Sequence, residues 1–195
     1  MNYLAHAYLS FGDPDILLGN MIADFVKGNT LLAYPVQVRK GIRLHRAIDG
    51  FTDQHTLSRL AATFFKNNYG RYSAVFVDVV YDHFLACDTK LFPGDSLREF
   101  AQTTYGQLNE KAELFPVLFR RIFPYMKSQD WLYGYRTEEG ISKAFGGIIH
   151  RAKYISDPRP AAICLKMHYA ELQSCYAGFF PQLIAYCHTL RLEHS

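Results

Sequence analysis

Apolar residues recur three and four positions apart almost throughout this chain, and strict apolar alternation is scarce. That spacing constrains the chain to helices packed on helices. With 195 residues, 49% hydrophobic and 15% aromatic, there is ample material for one core. The expected architecture is all-α, a single-domain helical bundle over residues 1–195.

Local signals divide the chain. Asn2 to Leu9 reads as a first helix, and Asp13-Pro14 as an N-cap with proline at N1, opening a second that runs toward Phe25 and stops by Gly28. Pro35 opens a helix to about Phe51, Thr56 one to about Asn67, and Tyr72 to Ala86 forms a strongly apolar one. Ser96-x-x-Glu99 matches a capping box, Phe123-Pro124 marks a kink or break, and Thr137 and Asp157-Pro158 mark later starts. No repeat, linker or low-complexity tract interrupts the pattern, and no role is assigned to Leu192 through Ser195.

Composition excludes several classes. A net charge of +3 is too mild for a general nucleic-acid binder. No apolar run reaches the roughly 20 residues of a membrane span, and no secretory leader is legible. Cys87, Cys164, Cys175 and Cys187 are scattered without a CxxC pair, as expected of free thiols in a cytoplasmic protein. Neither a GxSxG elbow nor a P-loop is present.

Chemistry concentrates on two helical stripes. Val38, Ile42, His45 and Asp49 fall along one face of the Pro35 helix, so an inward apolar stripe turns polar. Asp53 and His55 follow, crowding four potential metal ligands into residues 45–55. The Tyr72 helix is apolar nearly all round, yet carries Asp78, Asp82 and His83. Buried carboxylates need a cation or hydrogen-bonding partners, and facing helices are a common frame for metal sites. Asp24 and His6 are further candidates. Carboxylate and imidazole without thiolate suit manganese, iron, magnesium or zinc, without choosing among them. Such a cation would serve phosphodiester hydrolysis. Each residue also has a structural reading: His45 as a satisfied core histidine, Asp49 within a carbonyl network, Asp53 as an N-cap.

The motifs Asn2-Tyr3-Leu4-Ala5-His6, Gly19-Asn20-x-x-x-Asp24-Phe25-Val26-Lys27-Gly28, Leu44-His45-Arg46-x-Ile48-Asp49-x-Phe51-Thr52-Asp53-x-His55 and Asp78-x-x-Tyr81-Asp82-His83-Phe84-Leu85-Ala86 resemble the acyl carrier protein phosphodiesterase family. The resemblance implies an HD-domain-like helical fold related to HD-type metal phosphohydrolases, a cytoplasmic setting, and Mn2+ as cofactor, with Fe2+, Mg2+ and Zn2+ as alternatives. It also implies holo acyl carrier protein as partner and substrate, cleaved to the apo protein and 4'-phosphopantetheine. The usual adjacent His-Asp dyad is absent, and the nearest pair, Asp82-His83, is reversed. Combining both readings, Asp24, His45, Asp49, Asp78, Asp82 and His83 are the expected metal site, with His6, Asp53, His55 and Arg46 as catalytic candidates.

An acidic carrier protein calls for a basic docking face. Arg39, Arg43 and Arg46 form a stripe beside the His45 and Asp49 stripe, and Lys40 adds to it. Arg120-Arg121 and Arg151-x-Lys153 are further basic pairs, with ordinary solvated surface as their alternative reading. Trp131, Tyr133 and Tyr135 are the expected rim of a groove for the prosthetic arm, although core packing is the more common use of such residues. Two other functions fit the same residues: an HD-type phosphohydrolase acting on a nucleotide or other small phosphodiester, and a non-catalytic helical binding module.

Overall fold

The structure is a computed structural model that describes residues 1–152 and 154–193, without the side chains of Arg151, Leu192 and Glu193. The basic pair at 151 and 153 lies outside that description. Eleven α-helices and no strand occur among the described residues. None is long and apolar enough to cross a membrane.

Helix α1 (Tyr3–Tyr8) starts at Asn2, whose side chain accepts from the Tyr3 N–H. Helix α2 (Pro14–Ile22) starts at Asp13, which accepts from Asp15 and Ile16 with proline at N1. This helix passes into a 3-10 turn, Ala23–Phe25, so its last residues wind more tightly than the apolar spacing predicts. Helix α3 (Val36–Gln54) packs intimately on α2. The contact depends on two glycines: a Cβ on Gly19 would collide with the Val38 carbonyl, and one on Gly41 with the Ile16 carbonyl. With both absent, the two backbones close to a distance only glycine permits.

His55 caps helix α4 (Thr56–Tyr69), its Nδ1 accepting from the Leu57 N–H at 3.2 Å. Helix α5 (Ser73–Cys87) is buried on nearly every side, as its composition predicts. Helix α6 (Ser96–Asn109) departs from expectation: its cap is Asp95 without a side-chain bond, and the buried Ser96 Oγ has no partner, so the capping box does not form. Helix α7 (Val117–Ser128) runs through Pro124 without breaking. Phe119, Phe123 and Met126 bury one face while Pro124 lies on the exposed side, so core packing offsets the backbone bond that proline removes.

Helices α8 (Trp131–Gly134) and α9 (Glu138–Arg151) follow, the latter capped by Thr137 as expected. Helix α10 (Arg159–Met167) begins just after Asp157-Pro158, and α11 (Tyr169–Glu193) runs through Pro181. One apolar cluster extends from Met1 to Cys187, and all four cysteines are free thiols. Helix α5 is central, touching α1, α4, α9 and α11.

Candidate functional site

Helices α1, α2, α3 and α5 meet at a cleft of about 360 Å3 whose walls include His6, Asn20, Asp24, His45, Asp49 and Asp78. The organising residue is Asn20, fully buried in the apolar helix α2. Its side-chain oxygen lies 2.8 Å from His6 Nδ1, and its backbone carbonyl 2.8 Å from His45 Nδ1. Its amide donates to the His6 carbonyl at 2.7 Å and to Ser10 Oγ at 3.2 Å. Both imidazoles therefore donate through Nδ1, and both direct Nε2 into the cleft. The rings stack with centroids 3.9 Å apart and planes at 14°.

The two Nε2 atoms converge on one carboxylate. His6 Nε2 lies 3.2 Å from Asp49 Oδ1, His45 Nε2 lies 3.1 Å from Asp49 Oδ2, and Asp24 Oδ1 stands 3.2 Å from His45 Nε2. One donor atom from each of His6, His45 and Asp49 fits within a 4.8 Å span. His6 Nε2 is buried without a hydrogen-bond partner: it is close to Asp49, but the two atoms present lone pairs to each other. A cation between them would satisfy both acceptors at once.

Electrostatics follow the geometry. Burial, with the His45 charge beside it, lowers His6 to about 4, so its ring is neutral. Burial also opposes charge on His45, but the hydrogen bonds its ring donates to Asp24 and Asp49 overcome this and raise His45 to about 9. Burial raises the Asp49 carboxyl, yet His45 and His6 more than reverse this and hold it well below the usual carboxylate range. The His45 hydrogen bond lowers Asp24. The Met1 amino group sits 3.2 Å from Asp49 Oδ1 and 3.1 Å from Asp78 Oδ1. Burial opposes its charge, but Asp78 and Asp49 hold it up to about 11. Burial raises Asp78.

Other residues singled out in the sequence stand outside this convergence. Asp82 is fully buried, and its two oxygens accept from the backbone N–H groups of Leu4 at 2.7 Å and Ala5 at 3.2 Å. It thus caps α1 from α5, and the partner it required is a helix N-terminus. His83 points elsewhere: Nδ1 donates to the Tyr135 carbonyl at 2.8 Å, and Nε2 lies 3.1 Å from the Tyr169 hydroxyl. Asp53 is exposed, lining a shallow recess with Asp78. His55, occupied as a helix cap, packs on Phe51 and Phe179.

Arg46 reaches the Val26 carbonyl at 3.2 Å and ties α3 to the turn bearing Asp24. Lys40 and Arg43 line a different cavity of about 470 Å3, together with Arg191. The basic stripe therefore winds around α3, with Arg46 nearest the cleft stripe. Trp131 and Tyr135 line a third cavity, whereas Tyr133 turns to the Arg98 guanidinium, 4.2 Å from its ring centre. Asn20 and the Met1 amine are the site groups that sequence reasoning did not select. The signal for Asn20 was an uncompensated amide within a run of apolar helix residues.

Fold and cleft together define an all-helical protein with a convergent carboxylate and imidazole site, a donor set suited to a divalent cation. The chain belongs to the acyl carrier protein phosphodiesterase family, whose profile matches residues 1–183, and it is an enzyme. It is 32% identical over 185 residues to the acyl carrier protein phosphodiesterase of Yersinia pestis, covering 94% of this chain and 96% of the relative. The Photorhabdus laumondii protein of that name is 32% identical over 94% of this chain and 93% of its own length. The Salmonella paratyphi A protein is 33% identical over 95% and 96%. No solved structure matches this chain significantly.

Proposed function

We propose that this enzyme hydrolyses holo acyl carrier protein to the apo protein and 4'-phosphopantetheine with a divalent cation, Mn2+ first and Fe2+, Mg2+ or Zn2+ as alternatives. The observation that carries this reading is the convergence of the His6 and His45 Nε2 atoms on the Asp49 carboxylate, with both Nδ1 atoms fixed by Asn20. His6, His45 and Asp49 would hold the cation, with Asp24 beside them. Such a cation lowers the pKa of a bound water and neutralises phosphate charge.

In the overall reaction, water oxygen bonds to phosphorus, the bond from phosphorus to the carrier serine Oγ breaks, and that oxygen takes up a proton. Asp78 is the residue for proton transfer at the cleft wall, since burial raises its carboxyl and it lies outside the trio that converges. Asp53 and His55 do not line the cleft. Arg46 fixes the Asp24 turn, while Arg39, Lys40 and Arg43 would meet the acidic carrier protein along α3.

The test is intact mass of holo acyl carrier protein after incubation with the enzyme, with and without Mn2+. Loss of the phosphopantetheine mass only with metal is the expected outcome, and His45→Ala should leave the carrier intact. Metal-independent cleavage, or full turnover by His45→Ala, would remove this reading.

A further inference from the structure

Helix α3 carries two working faces. His45 and Asp49 look into the catalytic cleft, whereas Gln37, Lys40, Leu44 and Ala47, spaced three and four apart, share another face. That face lines the cavity of about 470 Å3, whose other walls are the start of α2 and the end of α11. Burial sorts these walls by chemistry. Leu44 is buried and Ile16, Ala47 and Leu190 are half-buried, so the interior is aliphatic, while Arg43 and Arg191 are exposed and stand at the mouth with Lys40. The carboxylate on the wall, Asp13, is turned to its own helix, its Oδ1 accepting from the Asp15 and Ile16 N–H groups at 2.9 and 3.0 Å. The Arg191 guanidinium is held over the Phe11 ring, 4.8 Å from its centre, which sets one cation of the mouth in place.

We infer that this cavity is a regulatory site for a small aliphatic anion, a free molecule with one anionic head group and a short alkyl chain. The head group meets Lys40, Arg43 and Arg191, and the chain lies on Ile16, Leu44, Ala47 and Leu190, where leaving water favours it in proportion to the apolar area covered. The volume is that of a small-molecule site. Carboxylates and phosphate monoesters share this chemistry. The regulatory consequence rests on the function proposed above: Lys40 and Arg43 would also meet the acidic carrier protein, so a bound anion occupies cations that docking needs and competes with the carrier. The catalytic cleft shares no lining residue with this cavity and stays open to small phosphodiesters.

Isothermal titration calorimetry on the full chain gives a readout independent of catalysis. Octyl phosphate and octanoate are the two probes, and the one that binds more tightly identifies the head group. The expected result is saturable binding of one molecule per chain, with inorganic phosphate and octanol each at least tenfold weaker, since each supplies only half of the ligand. No saturable heat from either probe up to millimolar concentration, or octanol binding as tightly as the better probe, would overturn the inference. Gln37→Glu and Arg191→Glu each place a carboxylate at the mouth and should weaken the better probe at least fivefold. Wild-type affinity in both variants would put the ligand elsewhere and likewise overturn it.

Kinetics supply the second arm. A saturating amount of the better probe should raise KM for holo acyl carrier protein at least fivefold while turnover of bis-p-nitrophenyl phosphate stays unchanged. Equal inhibition of both substrates would place the anion in the catalytic cleft, and an unchanged KM for carrier protein would remove the regulatory role; either result overturns the proposal. Failure of the wild type to cleave any carrier protein, with the probe still bound and the two mouth variants still weakened, would count against the catalytic reading and leave the ligand assignment standing.

Discussion

Asp82 shows how a residue can be legible in its need and illegible in its partner. A carboxylate in a helix apolar on every side must be met by a cation or by donors. The spacing places it near Asp78 and His83, and so suggests metal. The donors are instead the Leu4 and Ala5 N–H groups, 78 and 77 positions away, and no periodicity in α5 encodes a helix end so distant in the chain. Asp82→Ala removes two buried charge-assisted hydrogen bonds and leaves two orphan donors, which should cost about 3 kcal/mol. Asp82→Asn, still an acceptor, should cost less than half as much. Urea denaturation of the two variants beside wild type would show this ordering; equal stabilities would refute it. His45 and Asp49, four apart on one face, were by contrast readable directly from helical spacing.

Among the elements, α2 and α3 carry the site and depend on the Gly19–Gly41 approach. The Asn20 carbonyl reaches His45 Nδ1 only while these backbones stay close. Gly41→Ala would put a methyl group against the Ile16 carbonyl backbone, so it should destabilise the fold by about 2–3 kcal/mol. It should also lower kcat more than a surface Gly50→Ala does, since Gly50 faces open space. Thermal melts with parallel assays of both variants test this, and a Gly41→Ala enzyme indistinguishable from Gly50→Ala would contradict it. Helix starts at Asn2, Asp13 and Thr137 were legible because side-chain caps act within three residues. Pro124 misled because its effect depends on whether neighbouring helices supply enough burial to offset a lost bond, which local sequence does not reveal.

For the whole molecule, a cation held by His6, His45 and Asp49 would bridge α1 and α3, so loading should stabilise the folded state. At a hundredfold excess of free Mn2+ over Kd the gain is about 2.7 kcal/mol, equivalent to a rise in Tm of about 5–10 °C for a chain this size. Differential scanning calorimetry after EDTA, then after Mn2+ addition, measures it, and no shift in Tm would argue against a cation at these residues. The all-helical architecture was legible because it follows from spacing repeated over the entire chain. The cleft as a whole was not, because its groups come from four helices whose relative placement only the packed core determines.

The long tether from Asp82 to α1 also has a consequence for the chain while it is being made. Every side chain proposed to hold the cation lies at or before Asp49, so all of them leave the ribosome ahead of α5. The residue that anchors the His6 helix follows about 30 residues later. At about 5–20 residues per second, the nascent segment passes a few seconds with its ligands exposed and no frame to hold them. Hydrolytic competence thus waits for α5, and a fragment that carries all the ligands but stops short of it would be inert toward carrier protein.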